Sequence, residues 1–282
     1  MKKGISIWSF AEPNLKKCFE LAKDAGFGGV EVALADEGDI TPNSTKEDIM
    51  KVKSWADEVG IELYSVASGL YWTTNYTNNC AEMRAKAKEI TKKHLEIASW
   101  LGCDTILVVP GGAGVDFIPN SDIVEYDVAY DRVLEALTEL APVAEKFKVS
   151  IGVENVWNKL LLSPLEMRDL IDKVNSPYVG AYFDVGNVVY SGYPEHWIKI
   201  LGDRIRKVHF KDYRMAAGGL HGFVDLLYGD VNWPAVMKMF DKIGYNGWVT
   251  AEMLPPYTHY PEQIIYNTSK SMDKIIGGRR NG

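Results

Sequence analysis

Residues 179–187 read VGAYFDVGN, an apolar run that ends on an aspartate followed by a glycine turn. Such a run predicts a buried β-strand whose last residue, Asp184, enters a loop. The same pattern occurs in three neighbouring runs, SIGVEN at 150–155, RKVHFKD at 206–212 and GWVTAEM at 247–253. Four consecutive predicted strands therefore each carry a carboxylate or an imidazole near their carboxyl end.

Outward from these runs, short β-rich segments alternate with longer amphipathic segments along the whole chain, which is typical of βα units. The predicted strands are residues 4–8, 29–34, 62–67, 105–109, 150–154, 179–184, 206–210 and 247–252. The predicted helices are residues 14–25, 45–59, 81–101, 126–147, 164–174, 195–202, 233–243 and 261–276. Eight pairs in 282 residues predict an α/β fold, a single-domain (β/α)8 TIM barrel over residues 1–282, because such a barrel needs about 250 residues.

A doubly wound open sheet is the structural alternative. No predicted strand is followed by GxGxxG or GxxxxGK[ST], which argues against it. The glycine-rich run PGGAG at 110–114 could bind an anion through its backbone N–H groups.

Two capping boxes, at 44–47 and 163–166, predict helix starts. Three glycines predict helix ends, namely Gly26, Gly60 and Gly102.

The charge balance bears on the kind of partner. With 31 Lys and Arg against 38 Asp and Glu, the net charge is -7, which argues against nucleic acid; Arg279 and Arg280 form too short a basic tail. The apolar part of the first residues, MKKGISIWSFAEP, is shorter than a signal peptide or membrane span. We therefore expect a cytoplasmic protein with no membrane partner. The three cysteines lack CxxC spacing and indicate small packed residues.

The four strand ends supply Glu154, Asp184, His209 and Glu252. Each of these alone would also fit a solvated strand end. In a barrel, however, the carboxyl ends of the strands converge, and three carboxylates brought together are costly unless a cation neutralises them. Three oxygen ligands and one nitrogen predict a divalent metal, Mn²⁺ first, then Mg²⁺, Co²⁺ or Zn²⁺.

These motifs resemble the xylose isomerase-like barrel superfamily, and more closely the sugar-phosphate isomerases and epimerases that include ketose 3-epimerases and L-xylulose-5-phosphate 3-epimerase. The resemblance covers nearly the whole chain and is carried by VEN, FDVGN, VHFKD, GWVTAEM and the run GDVNW at 229–233. It implies that Glu154, Asp184, His209 and Glu252 bind the metal and that the two glutamates also exchange protons with substrate. Many epimerases of free ketoses carry His where this chain has Asn187, so substrate identity does not carry over with the fold.

The resemblance implies a metal-dependent epimerase that inverts C3 of a ketose or ketose phosphate through an enediolate. Metal contact with the substrate oxygens stabilises the enediolate, and two carboxylates on opposite sides of the sugar remove and return a proton. We expect five residues to contact the small-molecule substrate, Trp8, Trp157, Asn187, Lys211 and Arg214. Lys211 equally fits an ion pair with Asp212 or a strand neighbour.

Three other functions remain open from sequence. An aldose-ketose isomerase of the hydroxypyruvate or xylose isomerase type would use the same fold and metal. An abasic-site endonuclease would need more histidine ligands and a basic groove than five His and a negative charge provide. A non-catalytic barrel would bind sugar without exchanging its protons. The sequence is compatible with a homo-oligomer.

Overall fold

The computed structural model describes residues 1–277, which form a closed barrel of eight parallel strands surrounded by helices. The barrel strands neighbour one another in chain order, and the first pairs with the last. The ten strands are β1 (Lys2–Ser6), β2 (Gly29–Leu34), β3 (Glu62–Ser68), β4 (Thr105–Val108), β5 (Ser150–Glu154), β6 (Val179–Asp184), β7 (Ile205–Phe210), β8 (Asp212–Tyr213), β9 (Phe223–Val224) and β10 (Trp248–Ala251). β8 and β9 form a separate antiparallel hairpin.

Eight α-helices alternate with the barrel strands within residues 1–277, so the predicted (β/α)8 fold is confirmed. They are α1 (Leu15–Asp24), α2 (Lys46–Val59), α3 (Ala81–Leu101), α4 (Tyr126–Phe147), α5 (Pro164–Val174), α6 (Pro194–Leu201), α7 (Trp233–Lys242) and α8 (Glu262–Gly277). Their apolar faces pack on the barrel in one core cluster. In the described part of the chain, every helix is too short or too polar to span a lipid bilayer.

Local hydrogen bonding sets the helix ends. The capping box at 163–166 is confirmed, since the Ser163 hydroxyl and the Glu166 carboxylate each accept a backbone N–H from the other residue. The box predicted at 44–47 was wrong by one residue, because Thr45 caps α2 with Asp48. Ser44 instead accepts the backbone N–H of Thr41 in the preceding turn.

The first strand was also predicted two residues too late. β1 ends at Ser6, and Trp8 lies in the 3-10 turn Ile7–Ser9 that follows it. Gly60 and Gly102 end α2 and α3 in the left-handed conformation, with φ of 74° and 80°, as predicted. The prediction for the basic tail with Arg279 and Arg280 lies outside the described residues.

The hairpin of β8 and β9 was not predicted, and Asp212 holds the segment in place. Its carboxylate accepts three backbone N–H groups and the indole N–H of Trp233. Gly229 makes this close packing feasible, because a Cβ there would lie 2.2 Å from Asp212 Oδ1. The runs VHFKD and GDVNW are thus joined through the Asp212 carboxylate and form one structural unit at the mouth of the barrel.

Candidate active site

Register in the barrel brings the four predicted ligands to one point. Asp184 pairs with His209 across β6 and β7, and Glu154 pairs with Tyr182, two residues before Asp184 on β6. Side chains two residues apart share a face of a strand, so Glu154 and Asp184 both point into the barrel. Glu252 follows β10 directly, and its backbone N–H is bonded to the Phe210 carbonyl of β7.

The four side chains meet in a tight buried cluster. Each offers one ligand atom, and these atoms lie within 4.8 Å of one another. His209 Nδ1 is 3.3 Å from Glu154 Oε1, 3.8 Å from Asp184 Oδ2 and 3.4 Å from Glu252 Oε2. None of the four atoms makes a well-oriented hydrogen bond to another described residue. Buried polar atoms without such partners are rare, and here four of them converge.

Burial and the neighbouring charges shift the pKa values of Glu154 and Glu252 in opposite directions. Burial raises the pKa of Glu154 to about 7, even though His209 and Lys211 act in the opposite direction. Burial acts on Glu252 as well, but there the charges of Lys211 and His209 prevail and lower its pKa to about 2. The His209 pKa lies well above its ordinary value, since Glu31 and Glu252 outweigh the effect of burial. The cluster therefore attracts positive charge.

These residues fit a divalent metal. Carboxylate oxygens and an imidazole nitrogen are the donors expected for Mn²⁺, and the same set suits Mg²⁺, Co²⁺ or Zn²⁺. The convergence of these four ligand atoms and the excess of buried carboxylates both favour a cation at this point. The Glu/Asp/His/Glu cluster could thus hold a metal ion.

Glu31 on β2 is a site residue that the sequence analysis missed. It is fully buried, and its Oε1 lies 2.9 Å from His209 Nε2. Its Oε2 accepts hydrogen bonds from Ser65, at 2.6 Å, and from Tyr182. A carboxylate that accepts Nε2–H leaves Nδ1 free as a ligand, which is the arrangement common behind metal-binding histidines. The one available signal was a glutamate within the apolar run GVEVAL.

Two asparagines fix the loop ends around Asp184. The Asn155 side chain accepts the Asp184 backbone N–H and donates to its carbonyl, both at 2.8 Å. The Asn187 backbone N–H donates to Asp184 Oδ1 at 2.8 Å, which leaves Oδ2 facing the cluster. The Asn187 amide donates to the Asn155 carbonyl, so the predicted substrate contact also ties β5 to β6. Asn155 belongs to the VEN motif, but the sequence did not indicate its hydrogen bonds to the Asp184 backbone.

Lys211 lies directly beside the cluster. Its ammonium is 3.4 Å from Asp184 Oδ2 and forms an ion pair with Glu252 Oε2. Of the two partners considered from sequence, the carboxylates of neighbouring strands are therefore the ones observed, and Asp212 is not. Burial opposes the charged form of Lys211, but the three surrounding carboxylates raise its pKa.

A cavity of about 600 Å³ opens over the cluster. Four of the five predicted substrate-contact residues line it, namely Trp8, Trp157, Asn187 and Lys211. Arg214 is not among the lining residues. Its guanidinium instead stacks 3.8 Å from the centre of the Tyr228 ring and donates to the Tyr228 carbonyl. The structure thus brings together the ligands and four of the contacts, and it places Arg214 elsewhere.

Comparisons with known proteins agree with this fold. The sequence pattern of the xylose isomerase-like TIM barrel family matches residues 19–273. An uncharacterised protein of Methanocaldococcus jannaschii is 24% identical, with 89% of this chain and 83% of that protein covered. The inosose dehydratase of Bacillus cereus is 23% identical, with 86% and 83% covered.

Solved structures extend the fold comparison over the complete chain. A D-tagatose 3-epimerase-like protein has a TM-score of 0.81 at 19% identity, with 100% of this chain and 99% of that chain covered. A D-psicose 3-epimerase, determined in the presence of D-fructose, has a TM-score of 0.78 at 18% identity and the same coverage.

Proposed function

Because the chain belongs to the xylose isomerase-like TIM barrel family, we propose that it is a metal-dependent epimerase that inverts C3 of a ketose or ketose phosphate. The observation that carries the proposal is the buried cluster of Glu154, Asp184, His209 and Glu252, whose ligand atoms lie within 4.8 Å of one another. Two of the similar solved structures are a D-psicose 3-epimerase and an L-ribulose 3-epimerase, which supports the same chemistry here. The metal is Mn²⁺ in this proposal.

Two of the ligands suit proton transfer. Glu154 is the last residue of β5 and Glu252 directly follows β10. These two strands are separated by β6 and β7 in the barrel, so the two carboxylates approach the cavity from different strands. One glutamate removes the proton from the carbon next to the carbonyl. The other returns a proton to the opposite face, which inverts the stereocentre.

The remaining residues position this pair. A divalent metal held by the four-residue cluster would supply a Lewis acid for the substrate carbonyl and for the negative charge that develops there. Asn187 orients Asp184 through its backbone N–H, and Trp157 donates its indole N–H to the Asn187 carbonyl at 2.8 Å. Trp8 and Trp157 line the cavity, where they exclude water from the reacting carbon.

A dehydratase is the second candidate, supported by the inosose dehydratases among the relatives and by the ammonium of Lys211. Elimination begins with the same proton removal by a glutamate. The C–O bond of the neighbouring carbon then breaks, and the departing hydroxide takes a proton from Lys211 to leave as water. The two candidates differ in the fate of the enediolate.

The test is a panel of ketoses, ketose phosphates and inososes incubated with the Mn²⁺-loaded protein in deuterated water. We expect deuterium at the carbon next to the carbonyl, together with a ketose of inverted configuration at C3, detected by NMR. An aldose product would identify an isomerase, and loss of water would identify the dehydratase. Binding without any deuterium incorporation would identify a non-catalytic barrel and refute the enzymatic proposal.

A further inference from the structure

The cavity has two chemically different parts. Its charged end contains Glu154, Glu252 and Lys211. Most of the remaining wall is apolar, and five aromatic residues contribute to it, namely Trp8, Trp72, Phe117, Trp157 and Phe223. A volume of about 600 Å³ lies within the range of about 300–1,000 Å³ that is usual for drug-sized ligands, which are larger than a monosaccharide.

Two aromatic pairs build this wall. Trp72 and Phe117 contact edge to face, with ring centres 5.2 Å apart. Trp157 and Phe223 lie 5.2 Å apart, and both rings pack against Tyr213. Aromatic side chains present large apolar surfaces, which are stabilised when a ligand ring or apolar chain covers them. Water is a poor occupant of such a surface.

A phosphate finds few binding groups in the same cavity. Among the described residues that line it, Lys211 is the single Lys or Arg, and its ammonium already contacts Asp184 and Glu252. Asp212 and Asp225 add negative charge to the lining. A dianion would therefore meet more repulsion than attraction outside the metal.

Within the described residues, two loops that could supply backbone N–H groups for a phosphate do not present them. In the glycine-rich loop after β4, the N–H groups of Gly112 and Ala113 donate to Thr77 Oγ1 and the Asn158 carbonyl, at 2.9 and 3.0 Å. TIM barrels frequently bind phosphate with the loops after the last two strands. Here the final loop carries Pro255 and Pro256, which have no N–H to donate.

From this wall we propose that the substrate carries an uncharged aryl or alkyl group at the end remote from its carbonyl, and no phosphate. The inference rests on the proposed function for the reacting end of the molecule. It narrows the substrate class from ketoses and ketose phosphates to ketosugars with an apolar substituent.

The test compares three ligands that share one reacting end: D-fructose, D-fructose 6-phosphate and 6-O-benzyl-D-fructose. Affinity for the Mn²⁺-loaded protein is measured by isothermal titration calorimetry. We expect the benzyl ether to bind about tenfold or more tightly than D-fructose, because the benzyl ring loses contact with water. The phosphate should bind no better than D-fructose. Tighter binding of the phosphate, or equal binding of ether and parent, would overturn the proposal.

A matched pair of variants ties this preference to the wall. Phe117→Ala removes one ring of the Trp72–Phe117 pair. We expect this variant to reduce the ratio of the affinity for 6-O-benzyl-D-fructose to that for D-fructose at least threefold. Tyr260→Ala removes an exposed ring that does not line the cavity and should keep the ratio. An unchanged ratio in Phe117→Ala would overturn the assignment.

Deuterium exchange into the same ligands separates this inference from the proposed function. A benzyl preference without exchange upholds the apolar subsite and refutes the epimerase. Exchange without a benzyl preference upholds the epimerase and refutes the subsite.

Discussion

The two ring nitrogens of His209 meet different partners. Nε2 faces Glu31 at 2.9 Å, and Nδ1 faces the carboxylates of the cluster. Glu31 therefore fixes both the orientation of the ring and the nitrogen that is free to bind a metal. Its other oxygen is held by Ser65 and Tyr182, so the support extends through the barrel interior.

Replacement of Glu31 should consequently weaken metal binding without touching a ligand. We expect Glu31→Ala to lower Mn²⁺ affinity roughly 10- to 100-fold, measured by isothermal titration calorimetry. The visible spectrum of the Co²⁺-loaded variant should change as well, because the His209 ring loses its fixed orientation. Glu62→Ala, on an exposed residue of β3, is the control. Equal affinity in both variants would show that Glu31 does not position His209.

Glu252 is expected to act both as a ligand and as a proton carrier. Glu252→Gln keeps the size of the side chain and one oxygen, but the amide cannot accept or return the proton. We expect turnover to fall on the order of 10²-fold or more and to stay low when Mn²⁺ is saturating. Proton exchange through Glu154 should persist for one epimer only.

The control for Glu252→Gln is Glu89→Gln on α3. The Glu89 side chain is exposed, so this variant should keep full turnover. If excess Mn²⁺ returned Glu252→Gln to near-normal epimerisation, Glu252 would be a ligand alone.

The residues that could be predicted from sequence are those whose position in the chain fixes their position in space. Glu154, Asp184, His209 and Glu252 lie at or near the carboxyl ends of strands, where a barrel must bring them together. Glu31 lies inside β2, and its importance depends on Ser65 and Tyr182 from other strands. The position of Arg214 against Tyr228 could not be predicted, because the hairpin after β7 had no strand pattern of its own, and its substrate contact stays a prediction.

At the scale of elements, glycines set how closely the loops approach the cluster. Gly186, in the turn after β6, packs against Lys211, and a Cβ there would lie 2.5 Å from Lys211 Cβ. The FDVGN motif therefore needs a residue without a side chain at this position. The sequence contained the motif, but the contact that explains it appears only when β6 and β7 are adjacent.

Gly186→Ala should displace the start of the loop after β7 and with it the Lys211 ammonium. We expect a loss of about 1–3 kcal/mol of stability from overpacking, measured by urea unfolding. Gly192→Ala in the same connection is the matched control, since its nearest neighbour would be 3.7 Å away. If Gly186→Ala were as stable as Gly192→Ala, the close approach would not constrain the site.

At the scale of the whole molecule, strand order and helix number were predictable because each βα unit carries its own periodicity. The exact ends of strands and helices were less predictable, since the bounds of β1 and the first residue of α2 are set by single hydrogen bonds and turns. The cavity wall was the least predictable, because Phe117 comes from a loop, and Leu220 and Phe223 come from the hairpin after β7, whose paths follow from packing.

A metal bound at the proposed site should also stabilise the whole fold, because the four proposed ligands come from four segments of the barrel that are far apart in the sequence. An ion that binds the folded state alone adds about 2.7 kcal/mol of stability at a free concentration 100 times its Kd. For a chain of this size we expect Mn²⁺ to raise Tm by roughly 5 °C relative to protein treated with a chelator, measured by differential scanning calorimetry. His209→Gln, compared with its own metal-free form, should lose most of this shift, because the cluster loses its nitrogen ligand. A shift in His209→Gln as large as in the unaltered protein would mean that Mn²⁺ stabilises the barrel from another place, and the metal centre assigned to these four strands would be wrong.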